Sequence, residues 1–373
     1  MNCNEELLSS APPAPTRGAK ERPCGLVLVG RAQALRPRIF YSQDRVSTHN
    51  RTMFRRMYRW PVLVILPALT SSDVLAHAGK PYTPVGLWTT WSWEPGIIVS
   101  LALSAWLYTR GVRALWRGSV VGRGVRRWQA SAFAAGWLAL VVALVSPLHP
   151  LGAVLFSAHM AQHEILMLVA APLLVLGKPL LPFLWGLPPL WRRRVGGWGK
   201  TLGRQKGWQM LTTPLVAWAV HAGVLWGWHV PSLFQATLAN ELIHTAQHLS
   251  FLLSALLFWW ALLQNAPGIM GYGAAVLYVF TTSIHSGALG ALLTFSSTLW
   301  YPAYARTTAA WGLSPLEDQQ LGGLIMWIPA GSVYVIAGLM LFAGWLRQAD
   351  IRVRRRERQG PLRSDATLWQ ANL

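Results

Sequence analysis

The chain has 373 residues, 53% of them hydrophobic and only 12% charged, whereas about a quarter of an ordinary soluble domain is charged. With 22 tryptophans and a positive mean hydropathy, this excludes a large soluble core and predicts an all-α, polytopic membrane protein. The formal net charge of +20 raises nucleic-acid binding, but the basic residues sit in the leader, two loops and the C-terminal tail, where they act as topology signals and lipid-headgroup contacts.

Both cysteines, Cys3 and Cys24, lie in the first 24 residues. The body therefore has no thiolate, and a metal there must use His, Met or carboxylate ligands. Residues 1–52 are rich in Arg, Pro and Ser without sustained periodicity, which reads as a disordered extension or an overextended start. From Met53 the text changes. Arg55, Arg56 and Arg59 precede a short apolar run at 60–69, and small residues follow near Ala76 and Ala78. Residues 53–78 thus read as a secretory signal peptide, with a short anchor helix as the alternative. Cleavage after Ala76 would leave His77 as a copper-chelating N-terminus; cleavage after Ala78 would remove it.

Seven apolar segments have the length of a membrane span, near 95–112, 128–148, 153–177, 210–230, 238–263, 272–295 and 321–346. They predict a seven-helix transmembrane bundle over 90–346. The loop from Arg110 to Arg127, the loop from Lys178 to Lys206 and the tail 347–373, with "RVRRRERQ", are all basic. Alternation puts all three on one side, which the positive-inside rule makes cytoplasmic. The N-terminus of the first span is then outside, as a signal peptide in a cell inner-membrane protein requires. Tryptophans at span ends, such as Trp91, Trp93, Trp226, Trp228, Trp259 and Trp260, read as interface belts.

Polar groups converge on the outer half of this bundle. Span three carries His159 and His163, span five carries His244 and His248, and His229 ends span four. His149 ends span two, His285 sits near mid-depth in span six, and His221 lies near the middle of span four. Glu94, Glu164, Glu241, Glu317 and Asp318 fall at or near the same side. Ionisable groups within a membrane are costly and face partners, cavities or the bundle interior. The spacing of four in each pair places both imidazoles on one helical face, so two neighbouring spans can surround a cation. Imidazole suits copper, zinc or haem iron. Met160, Met167 and Met326 offer thioether, although each methionine alone is more simply packing. Glu164 and Glu241 are placed to orient a ligating histidine. "HMAQHE" is neither H-E-x-x-H nor H-x-x-E-H, so the zinc-protease arrangement is missing. "ELIH" is a single Glu-x-x-His element, and a di-iron bundle needs two with further carboxylates.

At these residues the sequence resembles the CtaG assembly factors of caa3-type cytochrome c oxidase. The resemblance rests on "AHMAQHEILMLVAAPLLVLGKP" at 158–179, "LWGWHVPSLFQATLANELIHTAQHLSFLLSALLFWW" at 225–260 and "DQQLGGLIMWIPAG" at 318–331. It covers about 90–346 and implies a seven-span membrane protein that helps mature a haem-copper oxidase. The matched stretches carry His159, His163, His229, His244 and His248; the reading of depth adds His149 and His285. The expected function is a non-enzymatic factor that binds or delivers copper near the outer membrane face. Oxidase subunits, the lipid bilayer and a periplasmic copper donor are its expected partners, and nucleic acid is not. A haem-binding bis-histidine cytochrome is the alternative, followed by a metal-dependent hydrolase and a permease.

Overall fold

A computed structural model of the chain describes Gly86 and residues 89–117, 124–265 and 270–359. The leader, the signal peptide with His77, both cysteines and the end of the tail lie outside the described residues. Those residues are helical, with no strand among them. The principal helices are α1 (Pro95–Arg117), α2 (Arg127–Leu144), α3 (Phe156–Leu176), α4 (Pro214–Trp228), α5 (Glu241–Asn265), α6 (Tyr272–Thr294) and α7 (Pro315–Gln359). Short helices connect several of them, among them Leu148–Gly152, Leu180–Gly186 and Pro231–Ala239.

Five helices, α2, α3, α5, α6 and α7, are long and apolar enough to cross a membrane. α1 has 23 residues but carries Arg110, Arg113 and Arg117 in its last turns. α4 has only 15 residues, short of the roughly 20 that a hydrocarbon core needs. Prolines explain that length: Pro214 opens α4, and Pro231 begins the next short helix. The last helix exceeds expectation, because the basic stretch after Leu346 continues α7 as helix to Gln359. Asp350–Arg354 and Gln348–Arg352 pairs at i, i+4 support this extension.

Burial ranks the helices. In the apolar stretches of α3 and α5, 61% and 72% of residues are buried, against 28% in α2 and 17% in α7. α3 and α5 therefore form the middle, with α2 and α7 packed on α3 and α4 on α5. α6 lies along α7 at backbone contact: a Cβ on Gly323 would stand 2.6 Å from the Thr294 amide nitrogen, and one on Gly290 2.9 Å from the Gly323 oxygen. Small residues let helices approach this closely. On the other side of α7, Gly322 leaves room for the Phe156 ring and Met160 of α3.

Two local devices hold α3 in register, and a third ties the loop after α6 to α7. The first is a cap supplied from α7. The buried Asp318 carboxylate accepts from the Phe156 amide (2.6 Å), the Ser157 amide (3.1 Å) and the Ser157 hydroxyl (2.5 Å), satisfying N–H groups that a helix start leaves orphaned. The second is a π-helical segment, Ile165–Ala170, in which the Ala171 amide bonds the Leu166 carbonyl. In that register the Met167 carbonyl would look to Pro172, which has no N–H. Trp259 of α5 fills the gap, its indole N–H donating to Met167 O at 2.9 Å. The third is the "DQQ" run of α7: Gln319 accepts from the Trp300 amide at 2.6 Å and donates to Thr298 O, and Gln320 donates to Ser296 O. These bonds fix the loop after α6 over the same end of the bundle.

Tryptophans 259 and 260 are 5% and 7% exposed. Both are core residues rather than interface-belt residues, and Trp259 donates across to α3, because α5 is enclosed from Phe251 to Leu262. Trp93, by contrast, is 70% exposed.

Candidate metal centre

The Asp318 cap sets the first turn of α3, and His159 and His163 follow on the next two turns of its inward face. α5 begins at an Asn240 cap, whose side-chain oxygen accepts from the Leu242 and Ile243 amides, and presents His244 and His248 in its first two turns. The two helices face each other and their imidazoles meet. Ring centroids lie 4.4 Å apart for His159–His163, 4.3 Å for His244–His248, 5.4 Å for His159–His244 and 5.2 Å for His163–His248. His149 joins from the short helix after α2, 5.5 Å from His244 and 6.0 Å from His248. Five imidazoles thus share one cluster.

One ring nitrogen from each of His159, His244 and His248 lies within 4.8 Å of the others. Three nitrogens on one ion at a metal–nitrogen distance of about 2.0–2.1 Å stand roughly 3.4 Å apart. Side-chain rotations of about an ångström would close the triad on such an ion.

The hydrogen bonds assign lone pairs. His229 donates from Nδ1 to the Leu225 carbonyl at 2.6 Å, which leaves Nε2 as a buried lone pair without a protein partner. In His159 the Nδ1 proton points to Gly152 O at 3.3 Å, and Nε2 faces the Gln247 side chain at 3.2 Å. The Gln247 amide nitrogen is otherwise orphaned; turning the amide makes it donate to Nε2. His163 has no partner at either nitrogen, and Nε2 of both His244 and His248 is likewise unpaired. A buried donor or acceptor without a partner costs about 1–3 kcal/mol, so these groups call for an ion or ordered water. The donor set fits a borderline or soft cation that takes imidazole.

His149 is placed differently. Its Nδ1 accepts from the Gln162 amide at 2.8 Å, and its Nε2 faces the Glu94 carboxylate at 3.2 Å. Both nitrogens are engaged, so His149 orients its neighbours unless Gln162 gives way. The hydrogen bond from His149 holds the Glu94 carboxyl below its usual range, against an opposing effect of burial. Glu241 stands 3.7 Å from His244 Nδ1 and can orient that ring, leaving Nε2 toward the cluster. Glu164 is buried, with one carboxyl oxygen unpartnered.

Other expected site residues are not in the cluster. His285 lies beside α4, accepting from the Trp226 indole at 3.4 Å and packing on Trp218. His221 pairs with Ser254 and packs on Phe258. His229 shares the Phe251 ring with His163, at 6.2 and 4.5 Å. Met160, Met167 and Met326 are buried in the apolar core, Met160 against Gly322. An aromatic layer closes the same end: Tyr301 stacks on Phe156 and donates to His229 O, while Tyr304 donates to Gly152 O. Gln162, Gln247 and Asp318 are the site residues that the reading of histidine depth does not find. Two of them had a visible signal, because H-x-A-Q-H occurs at both 159–163 and 244–248.

Fold and site together define a helical membrane protein with a histidine cluster buried between its two central helices. Residues 106–348 match the family of the cytochrome c oxidase caa3 assembly factor, Caa3_CtaG, and the chain belongs to that family. Among curated proteins it is similar to uncharacterized proteins of Mycobacterium bovis and Mycobacterium tuberculosis, each 29% identical over 301 residues, and to one of Mycobacterium leprae, 28% identical over 299. These alignments cover 77–78% of this chain and 44% of each relative, so the chain spans less than half their length. No solved structure matches.

Proposed function

We propose that the protein assists assembly of a haem-copper cytochrome c oxidase by binding copper at His159, His244 and His248 and passing it to an oxidase subunit. The observation that carries this reading is the convergence of buried imidazole nitrogens from α3 and α5: Nε2 of His244 and His248 and both nitrogens of His163 have no partner, and His159 Nε2 is held only by Gln247, which would give way to an ion. His163 and His229 supply further nitrogens next to the triad, and His149, Glu94 and Glu241 orient it. Imidazole ligands without thiolate permit exchange, which a delivery protein needs. The positions of the basic loops support seven spans in a cell inner membrane, N-terminus outside and C-terminus cytoplasmic. In that orientation the cluster lies near the outer face, within reach of a periplasmic copper donor. A bis-histidine haem needs two imidazoles on opposite faces of a wide planar ring, whereas these rings touch one another.

The test is metal and haem content of the detergent-purified protein beside His159→Ala/His248→Ala, with helicity checked by circular dichroism. Copper near one or two per chain, lost in the folded variant and without a haem absorption band, supports the reading. A haem band lost in the variant moves the assignment to the cytochrome. No metal after copper loading leaves the cluster as an interhelical hydrogen-bond network.

A further inference from the structure

The bundle holds space that metal binding does not use. A cavity of about 190 Å³ starts beside Glu94, His149 and His244 and follows one face of α5, past His248, Leu252, Leu256 and Trp260 to Gln264. These α5 residues recur every three or four positions, so the cavity runs along a single helical stripe. From Glu241 to Gln264 that stripe is roughly 35 Å long at ~1.5 Å per residue, comparable to a hydrocarbon core of about 30 Å. Between its ends the walls are apolar, with Leu101, Phe133, Trp137, Leu140 and Leu174 facing it from α1, α2 and α3.

At its far end the cavity meets a second pocket, of about 420 Å³, lined by Arg126, Lys178, Gln129, Gln264 and Trp128. The two share Val175, Lys178 and Gln264 in their walls and therefore adjoin. Arg126 precedes α2 and Lys178 follows α3, so both cations stand where spans end and headgroups begin. No acidic residue lines the pocket. The Arg126 charge lies near enough to act on Lys178, whose pKa is lowered by burial and then by that charge. Lys178 also has φ +49° directly before Pro179. The left-handed position at a helix end belongs normally to glycine, and a residue before proline avoids helical conformations. The backbone disfavours lysine there, which points to a role for its side chain.

We infer that these adjoining pockets form a binding site for one anionic phospholipid, its phosphate between Arg126 and Lys178 and an acyl chain along α5 below the histidines. A free phosphate would account for the polar pocket but not for the apolar cavity beside it. The site needs no ion at the histidines, and its test leaves every histidine in place. With an acyl chain inside, the apolar path from the histidine cluster to the basic end is closed to water.

Native mass spectrometry of the full chain in mild detergent, titrated with phosphatidylglycerol, phosphatidylcholine or inorganic phosphate, tests this. Phosphatidylglycerol should bind near one per chain, preferred over phosphatidylcholine by roughly tenfold, and Arg126→Gln/Lys178→Gln should erase that preference. Leu252→Trp, which narrows the channel and keeps both cations, should weaken lipid binding; Leu174→Phe serves if a melting curve shows the first variant misfolded. Equal retention of the two lipids, a preference that survives the charge variant, or lipid displaced by millimolar phosphate would each overturn the proposal.

Discussion

Asp318→Ala removes a carboxylate that caps α3 from another helix, and its effect can be sized. The Phe156 and Ser157 amides lose their acceptor and the Ser157 hydroxyl loses its partner. Asp318 is 0% exposed, so water does not simply replace it. Hydrogen bonds to a charged group contribute about 1.5–3 kcal/mol each. Bonds to one carboxylate are not additive, and a total of roughly 3–5 kcal/mol is expected. At ~2–4 °C per kcal/mol for a domain of about this size, the melting midpoint should fall by about 10 °C. Asp318→Asn keeps one acceptor oxygen and should lie between the two. The assay is thermal unfolding in detergent followed by circular dichroism, with copper affinity measured below the transition. Affinity should drop although no ligand is touched, because His159 sits in the turn that the cap sets. A midpoint for Asp318→Ala within 2 °C of wild type would refute the argument that this cap anchors α3.

Further outcomes follow from the same geometry. His244→Ala and His248→Ala should each abolish copper retention, while His285→Ala, beside Trp218 and Trp226, should leave it intact; elemental analysis decides, and equal loss in all three would place the site elsewhere. Gly323→Leu puts a side chain against the Thr294 backbone, and overpacking of this kind costs about 1–3 kcal/mol or more. It should lower the melting midpoint, and an unchanged midpoint would contradict the close α6–α7 approach. The Glu94 carboxyl is held below 4.5 by its bond to His149. The pair therefore stabilises the fold above that pH and loses its effect as pH falls through the lowered value. Glu94→Gln should flatten the acid limb of stability against pH below about 5; an identical limb would show that the pair is not formed.

Much of this arrangement was legible because a helix converts sequence spacing into a face. The two H-x-x-x-H pairs are inward-facing in α3 and α5 for that reason, and enclosure of those helices does the rest. His149 and His285 looked equivalent by depth, yet only His149 joins the cluster. Depth fixes position along the bundle axis and says nothing about which neighbour a helix face meets. The Trp259 position was misread for a related reason: a tryptophan near a span end is an interface residue only if its helix lies at the lipid surface.

Composition and periodicity alone determined that the chain is helical, apolar and membrane-bound, and that paired histidines project from single faces. These are local properties, fixed by side-chain chemistry and the 3.6-residue turn. Tertiary structure decided which faces meet, that Asp318 of α7 starts α3, that Gln162 and Gln247 orient the histidines, and that an apolar cavity leads from them to Lys178. Each of these pairs residues far apart in the chain, and no local pattern encodes their approach. It follows from packing, where glycines let helices touch and proline frees a carbonyl for a distant indole.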